Sequence, residues 1–380
     1  MLAAVLISCD NKIAPKVTLE SDEVPTPVFV DVTFSGTTAK IDIPERAYGL
    51  SCSSGTSSDV VLTLDENVSK EYIYRVKGSS QSGSLTINSG HKLTLLLAGV
   101  DLTSTTAAPA LHVNCGKRIA VILQEDTENS FADSPQNDKR GAFYTKGHLE
   151  FQGKGTLNVT GNARHALCAK EYIQLKKSTG TINIRGAVKD GIHCGKGLEG
   201  SDQNYFRMNG GTLNFHNVGS DLIDCDDFGT AYINGGTLNL NVEASDSKGL
   251  KADSIINVSG GTLNLSVEGA SSIGIQSNYE SRFEGGTVRG TGRGYRAVGI
   301  KGNNSKGSFT VMNGGNLRFG GTSITLSATG ERSCAIQAEA DLTATSGSIM
   351  LSGTPENYPG YKIGGNAVGE KYFSWSALSE

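Results

Sequence analysis

A short glycine-containing motif recurs along this chain at nearly constant spacing. The motif is Gly-Thr followed by an apolar residue. It begins at Gly155, Gly180, Gly211, Gly236, Gly261 and Gly286 and, as Gly-Asn-Leu, at Gly315. Most of the intervals are 25 residues. A fixed period of this length is typical of stacked repeat architectures, in which each repeat packs on its two neighbours. It also accounts for the glycine content, 49 of 380 residues.

Within each repeat, apolar and polar residues alternate, as in residues 238–242 (Leu-Asn-Leu-Asn-Val), which is the period of a β-strand. An aliphatic residue follows each motif by about a dozen positions, at Leu167, Ile192, Ile223, Leu250, Ile275 and Ile300 and, less regularly, at Ile336. Two positions later comes a small residue, at Ala169, Cys194, Cys225, Ala252, Ser277, Gly302 and Ala338. The pattern predicts an all-β fold, a right-handed parallel β-helix with three short strands per coil, stacked about 4.8 Å apart.

The repeat also sets the domain limits. We expect one elongated β-helical domain over residues 28–353, with a projecting loop over residues 125–140 and a C-terminal cap over residues 354–380. Cys194 and Cys225 should then lie inside the helix, one coil apart. They form a disulfide, a pair of ligands, or two buried thiols that act as small hydrophobes, and the last interpretation is favoured.

The first residues suggest export. Residues 1–9 end in Leu-Ile-Ser-Cys, which resembles the lipobox of bacterial lipoproteins, so Cys9 would carry a lipid and residues 10–27 would form a tether. The alternative is a short apolar leader without a role. The lipoprotein interpretation predicts a cell-envelope or cell-surface protein that is attached to the membrane by its lipid anchor only.

Composition excludes two other classes of protein. The chain has 34 basic and 38 acidic residues, a formal net charge of −4, which argues against binding of nucleic acid by phosphate neutralisation. No run of 18 or more apolar residues occurs, so no transmembrane helix is predicted. A monomer is expected.

Aspartates cluster in the middle of the repeats. When the coils are aligned on their isoleucines, Asp190 stands above Asp221 and Asp226 above Asp253, with Asp224 and Asp227 close by. Two stacked carboxylates repel by roughly 1 kcal/mol in water and about 3–4 kcal/mol at a dielectric near 20. Such a stack therefore needs a cation, a basic neighbour or a raised pKa.

This cluster predicts two cation sites. Because an extended strand spans about 3.3 Å per residue, Asp221 and Asp226 should be about 16 Å apart, too far to share one ion. We expect one site at Asp190 and Asp221, and another at Asp226, Asp227 and Asp253, with Asp224 nearby. Ligation by oxygen alone favours Ca²⁺ over zinc. The alternative is that each aspartate caps a turn by accepting hydrogen bonds from backbone amides.

A polar stripe should run along one sheet face, because one outward residue lies between each aliphatic and small position. Its members are His193, Asp224, Lys251, Gln276 and Lys301. We expect this stripe to be exposed and to continue into a basic patch of Arg289, Arg293, Tyr295 and Arg296. Arginine binds carboxylates through two parallel hydrogen bonds and tyrosine stacks on sugar rings, so both groups are candidate contacts for an acidic polysaccharide.

Several ordered motifs resemble a known family. They are residues 141–147 (Gly-Ala-Phe-Tyr-Thr-Lys-Gly), residues 155–162 (Gly-Thr-Leu-Asn-Val-Thr-Gly-Asn), residues 165–166 (His-Ala), residues 190–193 (Asp-Gly-Ile-His) and the repeated Asn-Gly-Gly-Thr-Leu. They resemble bacterial β-helical carbohydrate-binding proteins, which are similar in fold to pectate lyases. The resemblance implies Ca²⁺ binding and a partner such as cellulose or an acidic plant glycan. Residues 221–227 preserve the family's acidic element best.

Three functions are compatible with these observations. The leading hypothesis is a surface-anchored, non-catalytic protein that binds a linear, acidic polysaccharide with the help of calcium. The second is a Ca²⁺-dependent polysaccharide lyase, for which Lys251 is the candidate base and Arg296 and Lys301 are weaker candidates. The third is a structural or adhesive surface protein whose aspartates only cap turns.

Overall fold

The computed structural model describes residues 26–53, 57–195, 204–303 and 314–378. In chain order its first strands are β1 (Phe29–Ser35), β2 (Thr38–Asp42), β3 (Leu50–Cys52), β4 (Asp59–Leu64), β5 (Ile73–Ser80), β6 (Ser84–Asn88), β7 (Leu93–Thr103), β8 (Leu111–Asn114), β9 (Arg118–Leu123), β10 (Glu128–Ala132), β11 (Gly141–Thr145) and β12 (His148–Gln152). The middle of the chain contains β13 (Thr156–Gly161), β14 (His165–Ala169), β15 (Ile173–Leu175), β16 (Thr181–Ala187), β17 (Ile192–Cys194), β18 (Tyr205–Met208), β19 (Thr212–Phe215), β20 (Ile223–Cys225), β21 (Thr230–Ile233), β22 (Thr237–Val242), β23 (Lys248–Ala252), β24 (Ile255–Val258) and β25 (Thr262–Val267). The last strands are β26 (Ile273–Ser277), β27 (Glu280–Phe283), β28 (Thr287–Gly292), β29 (Val298–Gly302), β30 (Asn316–Phe319), β31 (Ser323–Ala328), β32 (Cys334–Ala338), β33 (Leu342–Ala344), β34 (Ser348–Gly353), β35 (Tyr361–Ile363), β36 (Ala367–Val368) and β37 (Phe373–Ala377). Two short 3-10 helices span Pro355–Asn357 and Glu370–Tyr372.

These strands stack in parallel, three to a coil. In the coil formed by β20, β21 and β22, each strand pairs in parallel with the strand three further along the chain. The described residues form a sheet of 13 strands that runs from β3 to β35, and a sheet of 24 strands in which β7 joins two ladders. The predicted parallel β-solenoid with three short strands per coil is confirmed. No helix in the described part of the chain is long and apolar enough to cross a membrane.

The ends of the solenoid differ from its middle. β1 pairs antiparallel with β2, and β3 pairs antiparallel with β4. At the other end β35, β36 and β37 pair in parallel with β32, β33 and β34, so the segment assigned to a C-terminal cap contains a further coil.

One segment was predicted wrongly. Residues 125–140, expected to be a projecting loop, contain β10, which pairs in parallel with β7 and β13. The segment is mostly polar, so its single inward-facing aromatic residue, Phe131, was not recognised as part of a strand. Phe131 is buried in the core.

The two predicted columns form the part of the interior that lies behind the 13-stranded sheet. Ile192, Ile223 and Leu250 are paired in register on successive coils and are fully buried. The small column beside them is also buried and brings Cys194 next to Cys225. Both cysteines are free thiols, and burial raises the pKa of Cys194. The structure thus agrees with the interpretation of two small buried side chains.

The second glycine of the repeated Asn-Gly-Gly-Thr motif has a steric role. Gly236 has a φ of +87°, a backbone conformation that disfavours side chains. A Cβ atom at this position would lie 2.6 Å from the carbonyl oxygen of Gly211 on the preceding coil. Glycine therefore allows both the corner and the close stacking of successive coils.

Candidate functional site

The predicted polar stripe lies on the outer face of the 13-stranded sheet. Its members are paired in register on β17, β20, β23, β26 and β29, in the order His193, Asp224, Lys251, Gln276 and Lys301. The register is as expected, but the exposure is not: His193, Asp224 and Gln276 are buried, at 4%, 5% and 7% exposure. His193 is in contact with Arg140 and His165, and Asp224 is in contact with Lys251.

The acidic cluster converges on one lysine of this stripe. The Nζ atom of Lys251 lies 2.8 Å from Asp224 Oδ1, 3.1 Å from Asp226 Oδ1 and 3.8 Å from Asp221 Oδ2. The expected separation of about 16 Å between Asp221 and Asp226 is therefore wrong, although no convergent ligand group among the described residues contains both of them. β20 is only three residues long, and the turns before and after it direct both carboxylates toward Lys251 on the next coil.

Two histidines extend the cluster across the preceding coils. Asp190 Oδ2 lies 3.1 Å from His165 Nδ1 and 3.2 Å from His193 Nδ1, and Asp224 Oδ2 lies 3.5 Å from His193 Nδ1. The two imidazole rings stack with centroids 4.4 Å apart. His165 was not selected from the sequence as a site residue. Its position in the repeat does indicate the contact, because His165 precedes Leu167 by two residues just as Asp190 precedes Ile192 on the next coil.

Turn capping accounts for part of the cluster. Asp221 Oδ1 accepts a hydrogen bond from the backbone N–H of Lys248 at 2.8 Å. Asp253 Oδ2 accepts one from the backbone N–H of Asp227 at 3.0 Å. The side chain of Asp227 is exposed. Among the described residues, neither Asp227 nor Asp253 belongs to the groups whose ligand atoms converge.

The electrostatics of the cluster follow from burial and mutual repulsion. Burial and the Asp224 charge raise the pKa of Asp221 to about 6. Burial also opposes ionisation of Asp224, but its hydrogen bond to His193 and the charge of Lys251 outweigh this and lower its pKa. The repulsion between the stacked carboxylates is thus reduced in two of the three expected ways: by a basic neighbour, Lys251, and by the raised pKa of Asp221.

Lys251 is a poor candidate for a general base. Burial favours loss of its proton, but attraction to Asp224, Asp226 and Asp221 outweighs burial and raises the pKa of Lys251 above its usual value. An amine that accepts a proton in catalysis needs the opposite shift. The sequence-based proposal of Lys251 as a base is not supported by this geometry.

The donor set of the cluster matches a hard cation. One carboxylate oxygen each from Asp190, Asp221 and Asp224 lie within 4.8 Å of one another, and so do ligand atoms of His193, Asp224 and Asp226. Ca²⁺ is bound by carboxylate oxygens of this kind. The first group fits calcium better because it contains only oxygen donors.

The predicted basic patch is divided between different surfaces. Arg289 lies on β28 in the 24-stranded sheet, where its Nε donates to Asn264 Oδ1 at 2.7 Å. Arg293 is exposed and forms an ion pair with Glu268 at 2.6 Å. These two arginines therefore do not continue the stripe, since a corner of the coil separates β28 from β29.

The remaining members of the patch lie near the 13-stranded sheet. Tyr295 and Arg296 lie in the turn before β29, with the guanidinium 5.1 Å from the ring centroid. Lys301 Nζ forms an ion pair with Glu339 Oε1 at 2.8 Å. Tyr295, Arg296 and Lys301 thus stand beside one end of the stripe.

The pH dependence of stability should report the charge on His193. Burial favours neutral imidazole, but hydrogen bonds to Asp190 and Asp224 raise the pKa of His193 to about 9. The guanidinium of Arg140 opposes protonation of His193, because its positively charged Nη2 lies 3.0 Å from His193 Nε2. The folded state holds the proton of His193 more tightly than the unfolded state does. Protonated His193 therefore adds up to about 3 kcal/mol to the free energy of unfolding. This contribution is complete below pH 6.5 and is lost as the pH rises through 9.

Urea unfolding at several pH values between 6.5 and 9 measures this loss. We expect the wild type to lose more stability over this interval than His193→Gln, while His216→Gln, which changes an exposed histidine, behaves as wild type. Equal losses in the wild type and His193→Gln would show that His193 is neutral in the folded protein.

Comparisons with known proteins return a solved structure and a family model. The solved structure is the polysaccharide lyase-like protein from C. thermocellum, a gadolinium derivative, with 15% sequence identity and a TM-score of 0.48, covering 71% of this chain and 94% of that chain. No curated protein matches the sequence. A family model described as "Carbohydrate-binding domain-containing protein" matches residues 65–357, which include the whole acidic cluster and the polar stripe. The chain therefore belongs to the family of carbohydrate-binding domain-containing proteins.

Proposed function

We propose that this protein binds a linear polysaccharide along the outer face of the 13-stranded sheet and does not cleave it. One observation carries the proposal: an unbroken column of polar side chains, one per coil and in register. The column consists of His193, Asp224, Lys251, Gln276, Lys301, Gln337 and Lys362. Its members repeat about every 4.8 Å along the solenoid axis, so they match a ligand that is itself periodic in one direction.

The second half of this column favours an acidic polysaccharide. From Lys251 onward lysine and glutamine alternate, so a lysine recurs every second coil, about 9.6 Å apart. This spacing is comparable to the length of a disaccharide unit in an extended chain. Regularly spaced ammonium groups are complementary to carboxylates that repeat along a polymer.

We further propose that Asp190, Asp221 and Asp224 bind Ca²⁺. Support comes from their converging oxygens. Burial, and after it the charge of Asp224, raise the pKa of Asp221, so a bound cation would stabilise its ionised form. Calcium bound here would supply positive charge and coordination positions for sugar oxygens. The three carboxylates would orient it beside the first accessible residue of the column, Lys251.

The geometry supports binding better than catalysis. A lyase needs an unprotonated base beside the substrate carbon. In the column, Lys251 is held protonated by three carboxylates, and Lys301 is paired with Glu339. Arginine stays charged in proteins, which excludes Arg296 as a base. The lyase hypothesis therefore has no well-placed base among the residues selected for it.

We also propose that the protein is exported and anchored at the cell surface through a lipid on Cys9. The support is the sequence Leu-Ile-Ser-Cys at residues 6–9. Residues 1–9, and residues 10–25 of the tether, lie outside the described residues.

Electrophoresis through gels that contain a polysaccharide tests the proposed binding. We expect polygalacturonate to retard the wild type, calcium to increase the retardation and a chelator to reduce it. Lys301→Ala should reduce the retardation several-fold, whereas Lys154→Ala, which removes an exposed lysine paired with Glu125 elsewhere, should not. Absence of retardation by polygalacturonate and by soluble cellulose derivatives would refute carbohydrate binding on this face.

The same samples distinguish the competing functions. Ultraviolet absorbance from unsaturated uronate would show that the protein is a lyase. Retardation by neutral glucans alone would contradict the preference for acidic chains. If neither binding nor cleavage occurs, a structural or adhesive role remains.

A further inference from the structure

A cleft opens where the last coils of the solenoid meet the segment that follows β34. Its volume is about 420 Å³, within the range of roughly 300–1,000 Å³ that is usual for small-molecule sites. Val298 and Cys334 form an apolar floor that faces outward from the 13-stranded sheet and is separate from the main core. The column described above continues beside this floor through Gln337 to Lys362.

One wall of the cleft carries two arginines in equivalent turns of successive coils. Arg296 and Arg332 both have a φ of +57°, a conformation that is unfavourable for a long side chain. Asp246 and Ser271, in the equivalent turns of the two preceding coils, have the same φ, so this conformation belongs to the repeated turn, which places the two arginines one above the other. Tyr295 holds both guanidinium groups, at 5.1 and 6.0 Å from its ring centroid, and its hydroxyl accepts a hydrogen bond from Arg332 Nη1 at 3.3 Å.

The opposite wall comes from the C-terminal segment. Asn357 is buried and its amide donates to the carbonyl oxygens of Ala328 and Gly330, at 2.9 and 3.1 Å, which attaches this segment to the preceding coil. The next residue, Tyr358, is 69% exposed and lies edge-on to Trp375 with centroids 5.9 Å apart. This wall therefore presents an aromatic ring on a fixed support.

The charge of the cleft is positive. Arg296, Arg332 and Lys362 line it against one carboxylate, Glu356, among the described residues. Within that part of the chain Arg296 and Lys362 have no ion-pair partner, and Arg332 has only the exposed Glu331, at 3.8 Å. Cations without partners in a cleft are available to an anionic ligand.

We propose that this cleft binds a uronic acid residue of the polysaccharide, with the sugar carboxylate held by Arg296 and Arg332 and the ring resting against Tyr358. This inference rests on the proposed function and adds the position of a specific subsite. Planar guanidinium groups pair with carboxylates through two parallel hydrogen bonds, and an aromatic ring provides an apolar surface for the sugar. Lys362 links the subsite to the column of the 13-stranded sheet.

Calorimetric titration with trigalacturonate, its methyl ester and a sulfated trisaccharide tests this inference. With chelator present, so that the aspartate cluster does not contribute a metal, we expect the wild type to bind the acid more tightly than the ester or the sulfated sugar. The double variant Arg296→Gln/Arg332→Gln should weaken binding of the acid roughly tenfold or more, because charge-assisted hydrogen bonds are lost. Arg332→Lys should weaken it less than Arg332→Gln.

A matched control removes the same charge elsewhere. The double variant Arg185→Gln/Lys154→Gln changes two exposed cations outside the cleft and should bind as wild type. Equal binding of acid and ester, preference for the sulfated sugar, no binding of the trisaccharide, or unchanged binding by the arginine variant would each overturn the subsite. If polygalacturonate still retards the wild type in gels, the proposed function stands while the subsite fails. If it does not, the proposed function itself fails.

Discussion

Replacing Lys251 with methionine is expected to lower the free energy of unfolding by about 3–5 kcal/mol near neutral pH, since it leaves buried carboxylates without their cation. Asp224 and Asp226 each lose an ion pair within 3.1 Å, and Asp221 loses one at 3.8 Å. Methionine has a similar length, so the loss of packing is small. The defect should shrink as the pH falls below 6, where the pKa of Asp221 allows it to become neutral.

Urea unfolding with chelator and with calcium measures this effect and tests the metal site. Because a ligand stabilises the state that binds it, calcium should stabilise Lys251→Met more than wild type, whose ammonium competes for the same carboxylates. The control is Lys154→Met, in which the lost ammonium is exposed and pairs with Glu125, outside the aspartate cluster. A loss below about 1 kcal/mol in Lys251→Met would show that the network is solvated. Failure of calcium to stabilise either protein would refute the calcium site.

Replacing Ile223 with aspartate is expected to unfold the central coils, at a cost of about 5 kcal/mol or more, because it removes a core side chain and buries a charge. Ile223 is fully buried between Ile192 and Leu250 of the adjacent coils. In a solenoid each coil contacts only its neighbours. Unfolding of the coil that contains Ile223 should therefore leave two folded parts, one on each side, that resist protease independently.

Limited proteolysis together with urea unfolding tests this result. We expect cleavage near β20 in Ile223→Asp and resistance in Ile223→Val, which should cost only about 0.5–1.5 kcal/mol. A variant Ile223→Asp that resists protease and unfolds at the wild-type urea concentration would show that this position is not part of a continuous core.

The fold could be predicted because its defining features are local and repeated. A period of 25 residues and alternation of apolar residues place Ile192, Ile223 and Leu250 in one inward column, and the structure has them paired in that order. The structure differs from the prediction in segments that lack the 25-residue period. β10 lies in a polar segment without the motif, and β35–β37 follow a stretch in which Pro355 and Pro359 interrupt the pattern.

The candidate site could be predicted in part. Alignment of the coils correctly placed Asp224 beside Lys251 on neighbouring strands, because register in a parallel sheet transfers directly from the repeat. It could not show that Asp226 and Asp221 contact the same ammonium, since both side chains leave turns whose path does not follow the extended geometry of a strand.

The sequence by itself therefore determined the architecture, the inward columns and the order of residues along the polar stripe, because backbone hydrogen bonding between identical coils leaves one register. Only the tertiary structure decided which side chains meet beyond the strand ends: the burial of His193, the three carboxylates around Lys251 and the cleft between Arg332 and Tyr358. These contacts depend on turn conformations and on the last segment folding back over the preceding coil. Neither is encoded in a periodic pattern, which is why Arg332, Tyr358 and Lys362 were not selected from the sequence.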